Sequence, residues 1–158
     1  MNIRIICVGK LKEPFWKQAC LEYEKRLARY CTLEVVEVAD ESTPETLSEK
    51  QRQAALKREG DRILRALKPG KTIAMDLQGR QMDSMDFSKR VASYEQSGVP
   101  TLHFVIGGSL GLSDEVYQAA DERISFSKLT FPHNLFRVLL LEQLYRAQKI
   151  LRNEPYHK

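Results

Sequence analysis

Residues 101–106, Thr101-Leu102-His103-Phe104-Val105-Ile106, form a nearly unbroken apolar run that ends in Gly107-Gly108-Ser109-Leu110-Gly111. A run with no polar alternation fits a strand covered on both of its faces. That demands helices on each side of a sheet, and so parallel strands joined by crossover helices. The chain supplies the parts for such a sheet, because short β-rich runs alternate with longer helical ones along its whole length.

Residues 3–8 read as a buried strand closed by Gly9. Residues 13–30 read as a helix, with Pro14 in its first turn and Phe15, Ala19, Tyr23 and Leu27 at helical spacing. Residues 33–38 are a second strand. Thr43-Pro44 reads as a helix start, leading into a long charged helix to about Leu67 with a broad solvated face. Lys68-Pro69-Gly70 is a turn, residues 72–77 a third strand, and Gln78-Gly79 its end. Asp83 or Ser84 caps a helix that runs to Ser97-Gly98. After the glycine turn come a short helix over 113–120, a fifth strand over 123–127 and a last helix over 133–152. The pattern βαβαβαβαβα predicts an α/β fold: a mostly parallel open sheet with helices on both faces, in one domain spanning 1–158. Ligands of such sheets bind beyond the carboxyl ends of the strands. That points to the segments after Leu77, Ile106 and Ser127.

Composition excludes several classes. No run of about 18 apolar residues exists, so no membrane helix is expected. The apolar start of the chain is short, reads as a strand and lacks a small-residue cleavage site, unlike a signal peptide. Cys7, Cys20 and Cys31 have no CxxC spacing, and an odd count on core elements fits reduced thiols in the cytoplasm. His103, His133 and His157 share no ligand spacing with them, so no metal is expected. The net charge of +4 is compatible with a nucleic-acid partner but is weak support alone.

Four features near the C-terminus carry chemistry, each beside a plainer alternative. The glycines of 107–111 allow a tight turn and close ligand approach. Their G-G-x-x-G spacing and their place after the fourth strand do not match a dinucleotide fingerprint, and the alternative is an ordinary βα turn. Residues 124–133 mix hydroxyl and apolar side chains, suited either to flanking an adenine or to capping a helix. The last helix is apolar nearly all round, which implies burial on several sides and suggests a subunit interface. On it, Glu142 and Arg146 form either a helical ion pair or a phosphate-facing cation. The tail Tyr156-His157-Lys158 is either a frayed end or a stacking ring, a titrating imidazole and a phosphate-pairing charge together.

Taken in order, Phe104-Val105-Ile106-Gly107-Gly108 with Gly111-Leu112, Ser127, Leu129-Thr130-Phe131-Pro132-His133, Arg137-Val138, Glu142-Gln143-Leu144-Tyr145-Arg146-Ala147 and Tyr156-His157-Lys158 resemble the ribosomal RNA large-subunit methyltransferase H family of the SPOUT superfamily. Ile5-Ile6-Cys7-Val8-Gly9-Lys10 fits as well, so the resemblance covers the whole chain. It implies a C-terminal trefoil knot, which periodicity cannot reveal because knots are nearly absent from folds. It implies a homodimer, and methyl transfer from S-adenosyl-L-methionine to N3 of a pseudouridine in 23S rRNA on the assembled ribosome.

Carried over by position, the donor site is Met75, Gly107 and Gly108, with Phe126, Ser127, Lys128, Leu129, Thr130 and Phe131. Met75 departs from the family's usual Leu, but a flexible thioether packs in the same place. For the reaction so implied, residue type makes Arg146, Tyr156 and His157 the catalytic candidates. His157 is the best-typed general base, Tyr156 a stacking partner for a flipped base, and Arg146 and Lys158 hold phosphates or an imide anion. A depressed nucleophile pKa would make a base unnecessary, and the tail would then only shape a partner's donor pocket. Two other functions stand as alternatives: a nucleotide-dependent enzyme such as an NAD user, against which the glycine spacing argues, and a ribosome-binding module without catalysis, supported only by the basic charge.

Overall fold

The computed structural model describes residues 1–42 and 44–158. Its elements follow in the order β1 (Asn2–Val8), α1 (Pro14–Leu27), β2 (Thr32–Val38), α2 (Glu49–Ala66), β3 (Lys71–Gln81), α3 (Ser84–Gln96), β4 (Thr101–Ile106), α4 (Asp114–Ala119), β5 (Glu122–Ser125) and α5 (His133–Leu151). The strands form one five-stranded sheet in the order β2-β1-β4-β3-β5, with every neighbouring pair parallel.

The central strands are buried on both faces, and all six residues of β4 are buried. Their side chains divide by parity. Ile3, Ile5 and Cys7 of β1, with Leu102, Phe104 and Ile106 of β4, meet Leu27 of α1, Phe87 and Val91 of α3, and Leu140, Leu141 and Leu144 of α5. Ile6, Val8 and Val105 point the other way and meet Ile63 of α2 and Val116 of α4. The sheet therefore has helices on both faces, as the unbroken apolar run requires. Helix α5 packs against both α1 and α3, so within a single chain much of its all-round apolar surface is already covered.

Four boundaries differ from the sequence reading. Helix α2 begins at Glu49, not at Pro44, and Thr43 lies outside the described residues. Its start is a capping box: the Gln51 N–H donates to Ser48 Oγ, and the Ser48 N–H donates to Gln51 Oε1. Helix α1 ends at Leu27 and β5 at Ser125, each earlier than expected. Strand β3 does not stop at Leu77. Its register against β5 jumps from Met75 to Arg80 through a bulge, and pairing then resumes as Arg80 with Ile124 and Gln81 with Ser125. Gly79 makes this crossing possible, because a Cβ there would lie 2.6 Å from the Ile124 carbonyl carbon.

His103 is fully buried, and a pair of backbone groups satisfies it. The Lys68 N–H donates to Nε2 at 3.1 Å, which places the proton on Nδ1, 3.0 Å from the Lys71 carbonyl. All three cysteines are free thiols. Burial pushes Cys7 up to about 12 and Cys20 up to about 11, so both stay unreactive. Among the described residues no helix is long and apolar enough to cross a membrane, and no cluster of side chains is built to hold a metal ion.

Candidate functional site

The carboxyl ends of β3, β4 and β5 open into a cleft of roughly 670 Å³. These are the strand ends to which the topology rule points. Met75 and Ile106 form its floor, Gly107 to Leu112 one wall, and the segment after Ser125 the other, closed by His133 and Phe136 of α5. The glycine wall is a backbone structure. Gly108 bridges Gly111, whose N–H donates to the Gly108 carbonyl at 3.1 Å. Gly111 lies at φ +85, and a Cβ on Gly107 would come within 2.5 Å of the Gly111 carbonyl oxygen. The turn therefore needs glycine at 107 for close approach and at 111 for positive φ. The opposite wall is pinned by Ser125 Oγ donating to the Ser127 carbonyl at 2.8 Å, and by the Leu129 N–H donating to Ser127 Oγ at 3.0 Å.

Of the expected donor residues, Met75, Gly107, Gly108, Phe126, Ser127, Leu129, Thr130 and Phe131 line this cleft. Lys128 does not, and its residue is exposed. The cleft's volume lies in the range of small-ligand sites. Its lining of backbone groups, hydroxyls, a thioether and phenyl rings suits a nucleoside with an apolar-flanked base. His133, the end of the 124–133 segment, lines it too, as do residues the sequence reading does not single out: Arg52 from the first turn of α2, Asp76 in the β3 bulge, Tyr117 of α4 and Phe136 of α5. Asp76 and Arg52 left no signal, because a bulge and a helix end become neighbours only through the fold.

One buried cation fastens α5 beside this cleft. Arg137 is 4% exposed; it pairs with Glu37 of β2 at 2.7 Å and donates to the Gly9 carbonyl at 3.2 Å. Burial alone would raise the Glu37 carboxyl. The hydrogen bonds from Arg137 and the Leu11 amide, with their positive field, hold it below its usual value instead.

The other predicted residues gather elsewhere. The chain leaves α5 through a Schellman turn: Asn153 lies at φ +52, the Glu154 N–H donates to the Lys149 carbonyl and the Asn153 N–H to the Ile150 carbonyl. Asn153 is the sequence signal for this turn. The tail thus folds back along the helix rather than fraying. Tyr156 donates to Glu142 at 3.0 Å and sits edge-on to Tyr145, with ring centroids 4.9 Å apart. Arg146 grips Glu142 at 2.6 Å, lies 4.7 Å from the centre of the Tyr156 ring and reaches His157 Nδ1 at 3.3 Å. The helical ion pair and the functional cluster are therefore the same object. Burial, followed by the hydrogen bond to Glu142, pushes the Tyr156 hydroxyl up to about 12, so it remains a donor. Arginine has no acceptor, so His157 must present an unprotonated Nδ1 to it and carry its proton on Nε2. Cations and rings extend this surface: Arg26 lies 5.3 Å from the Tyr23 ring and Arg152 4.9 Å from that of Tyr30.

The two groups do not meet within one chain. Their nearest members on α5, Phe136 and Glu142, are six residues apart, about 9 Å along the axis and some 120° around it, so the two groups occupy different faces of the helix.

Comparison with known proteins agrees with the resemblance. A family profile described as "Predicted SPOUT methyltransferase" matches residues 1–157. The chain is 54% identical to ribosomal RNA large subunit methyltransferase H 1 of Clostridium perfringens, and 52% identical to ribosomal RNA large subunit methyltransferase H of Clostridium botulinum strain Kyoto, over the full length of each pair. Among solved structures, a probable methylase family protein from Haemophilus influenzae matches with a TM-score of 0.58 and 14% identity, over 99% of this chain and 70% of that one. The methyltransferase Lpg2936 from Legionella pneumophila, solved with bound cofactor SAM, matches with a TM-score of 0.50 and 11% identity, over 93% and 66%. At such identities these structures speak for the fold alone. The sequence matches decide the rest: this chain belongs to the SPOUT methyltransferase family and, within it, to the ribosomal RNA large subunit methyltransferase H group.

Proposed function

We propose that this protein transfers a methyl group from S-adenosyl-L-methionine to N3 of a pseudouridine in large-subunit rRNA, on the assembled ribosome, as a cytoplasmic homodimer. The observation that carries the reading is the cleft at the ends of β3, β4 and β5, because it gathers the family's donor positions from three separate segments of the chain. The names of the relatives support an rRNA substrate. Bound in the cleft, the donor supplies an electrophilic methyl group on a positively charged sulfur.

The chain's own work is then positioning and handling a proton. Met75, Phe126 and Phe131 enclose the donor, and the 107–111 turn fixes it through the backbone. Tyr156 stacks on the target base, while Arg146 and Lys158 hold its phosphates or the anion left when N3 loses its proton. His157 takes that proton at Nδ1, which first requires it to part from Arg146. Within one chain the tail lies against another face of α5 and supplies no residue to the cleft lining, so each active site combines one protomer's cleft with its partner's tail. Exposed Phe15 and Leu21 on α1 offer apolar surface for that pairing. We assign the threading to a trefoil knot as well. β5 lies at the sheet edge beside β3, yet the helix that follows it packs between α1 and α3. Stretching the chain by its ends tests this, since a knotted chain extends less than its length allows.

The deciding experiment incubates the protein with methyl-labelled donor and ribosomes from a strain lacking the modification. Label at N3 of a 23S pseudouridine is expected. Ribosome binding without label would favour a non-catalytic module and overturn the reading.

A further inference from the structure

Asp76 supplies the only carboxylate among the described residues lining the donor cleft. It follows Met75 directly, at the point where the β3 register breaks, so the bulge lifts it out of the ladder. Its side chain is 13% exposed. One oxygen accepts from the Tyr117 hydroxyl at 3.1 Å, and the other lies 3.7 Å from the Arg123 guanidinium. Arg123 in turn stacks 3.9 Å from the centre of the Tyr117 ring. Burial first, then the Asp76 charge, pushes the Tyr117 hydroxyl up to about 12, so this donor keeps its proton and fixes the carboxylate's orientation. Arg52 is the charged side chain elsewhere on the lining, and Glu49 and Asp114 line the hollow that adjoins it at Arg52 and Tyr117.

Three roles are open to such a group. It can tether the bulge to α4 and nothing more, it can accept from a ligand hydroxyl, or its charge can act on the ligand's charge. The donor has a positive sulfur, and its demethylated product, S-adenosylhomocysteine, has a neutral one. All other charges of the two molecules are the same. A fixed carboxylate in a half-enclosed cleft therefore separates them by sign, whichever ligand group lies nearest to it.

We propose that Asp76 is the charge-selecting residue of the cleft: its carboxylate favours the cationic donor over the neutral product, and so promotes exchange of spent for fresh donor after each transfer. The proposal rests on the reading that the cleft takes S-adenosyl-L-methionine. Arg123 offsets part of the charge, but it is 45% exposed and its field is weakened by solvent.

The test is calorimetric binding of donor and of S-adenosylhomocysteine to the intact protein and to Asp76→Asn, which keeps the shape and can still accept from Tyr117. Donor binding is expected to weaken roughly fivefold to tenfold, and product binding less than about twofold, as for one opposite charge several ångströms away in a semi-polar site. Equal weakening of both ligands would identify a hydroxyl or packing role and overturn the proposal, as would no change in either. If the unaltered protein binds neither ligand, the reading of the cleft falls and takes this inference with it. Arg123→Ala gives a reading of opposite sign that does not depend on Asp76→Asn folding. Removing the offsetting cation should raise the donor-to-product affinity ratio about twofold, and a fall in that ratio counts against the proposal.

Discussion

The donor cleft and the tail cluster are built from opposite materials. The cleft is mostly backbone and apolar wall, with glycines that cannot carry a side chain and a loop held by its own serines. The tail cluster is almost all side chain: tyrosines, guanidinium groups, an imidazole and one organising carboxylate, Glu142. A rigid cradle suits a ligand that must be held the same way at every turnover. A half-buried cluster of cations and rings, each able to make several contacts, suits RNA, whose phosphates and bases vary in approach. The two occupy different stretches and faces of α5, so a single helix carries both.

Cutting away residues 156–158 should separate the regions most sharply. Turnover should fall about a hundredfold to ten-thousandfold, the range for a lost proton-transfer group. Donor affinity should stay within about twofold, since no tail residue belongs to the cleft lining. Loss of donor binding would instead show that the tail builds the cleft. Gly107→Ala is the mirror experiment. Its Cβ meets the Gly111 backbone, so the turn must shift at a cost of roughly 1–3 kcal/mol. Donor affinity, measured by calorimetry, should weaken about tenfold to a hundredfold. Mixing the two variants should restore part of the turnover, because a mixed dimer pairs one intact cleft with one intact tail; if the mixture stays inactive, the shared site is wrong.

The smallest effect on either region should come from His103, at the amino ends of the strands. Burial lowers its pKa from 6.5, so the unfolded chain binds the proton more readily. Its contribution to stability is complete above pH 6.5 and erodes as the pH falls below that value. His103→Leu should cost about 1–3 kcal/mol by stranding the Lys68 N–H, and should flatten that pH dependence in urea unfolding. Donor affinity should not change.

Much of this was legible in the chain. The unbroken apolar run of β4 implied cover on both faces, and the parity of β1 and β4 bears that out. Pro44, a common first-turn residue, suggests an earlier start for α2 than the one the reciprocal Ser48–Gln51 pair sets. Gly79 looked like a strand end, but it is where two backbones pass so closely that only glycine fits, and the strand resumes beyond it. The tail was the hardest to read. Asn153 signals the turn, but Tyr156 finds Glu142 only because the chain doubles back. Asp76 and Arg52 carry no local pattern, and only the assembled sheet brings them to the cleft.

The Arg137–Glu37 pair ties the start of α5 to the ends of β1 and β2, far apart in the chain. Its consequence is a coupling between distant positions. Neutralising Arg137 alone strands Glu37 and frees the Gly9 carbonyl; neutralising Glu37 alone leaves a guanidinium shut in an apolar core. The two losses are therefore not additive: replacing both residues together should cost less than the sum of the single replacements, although they lie a hundred residues apart.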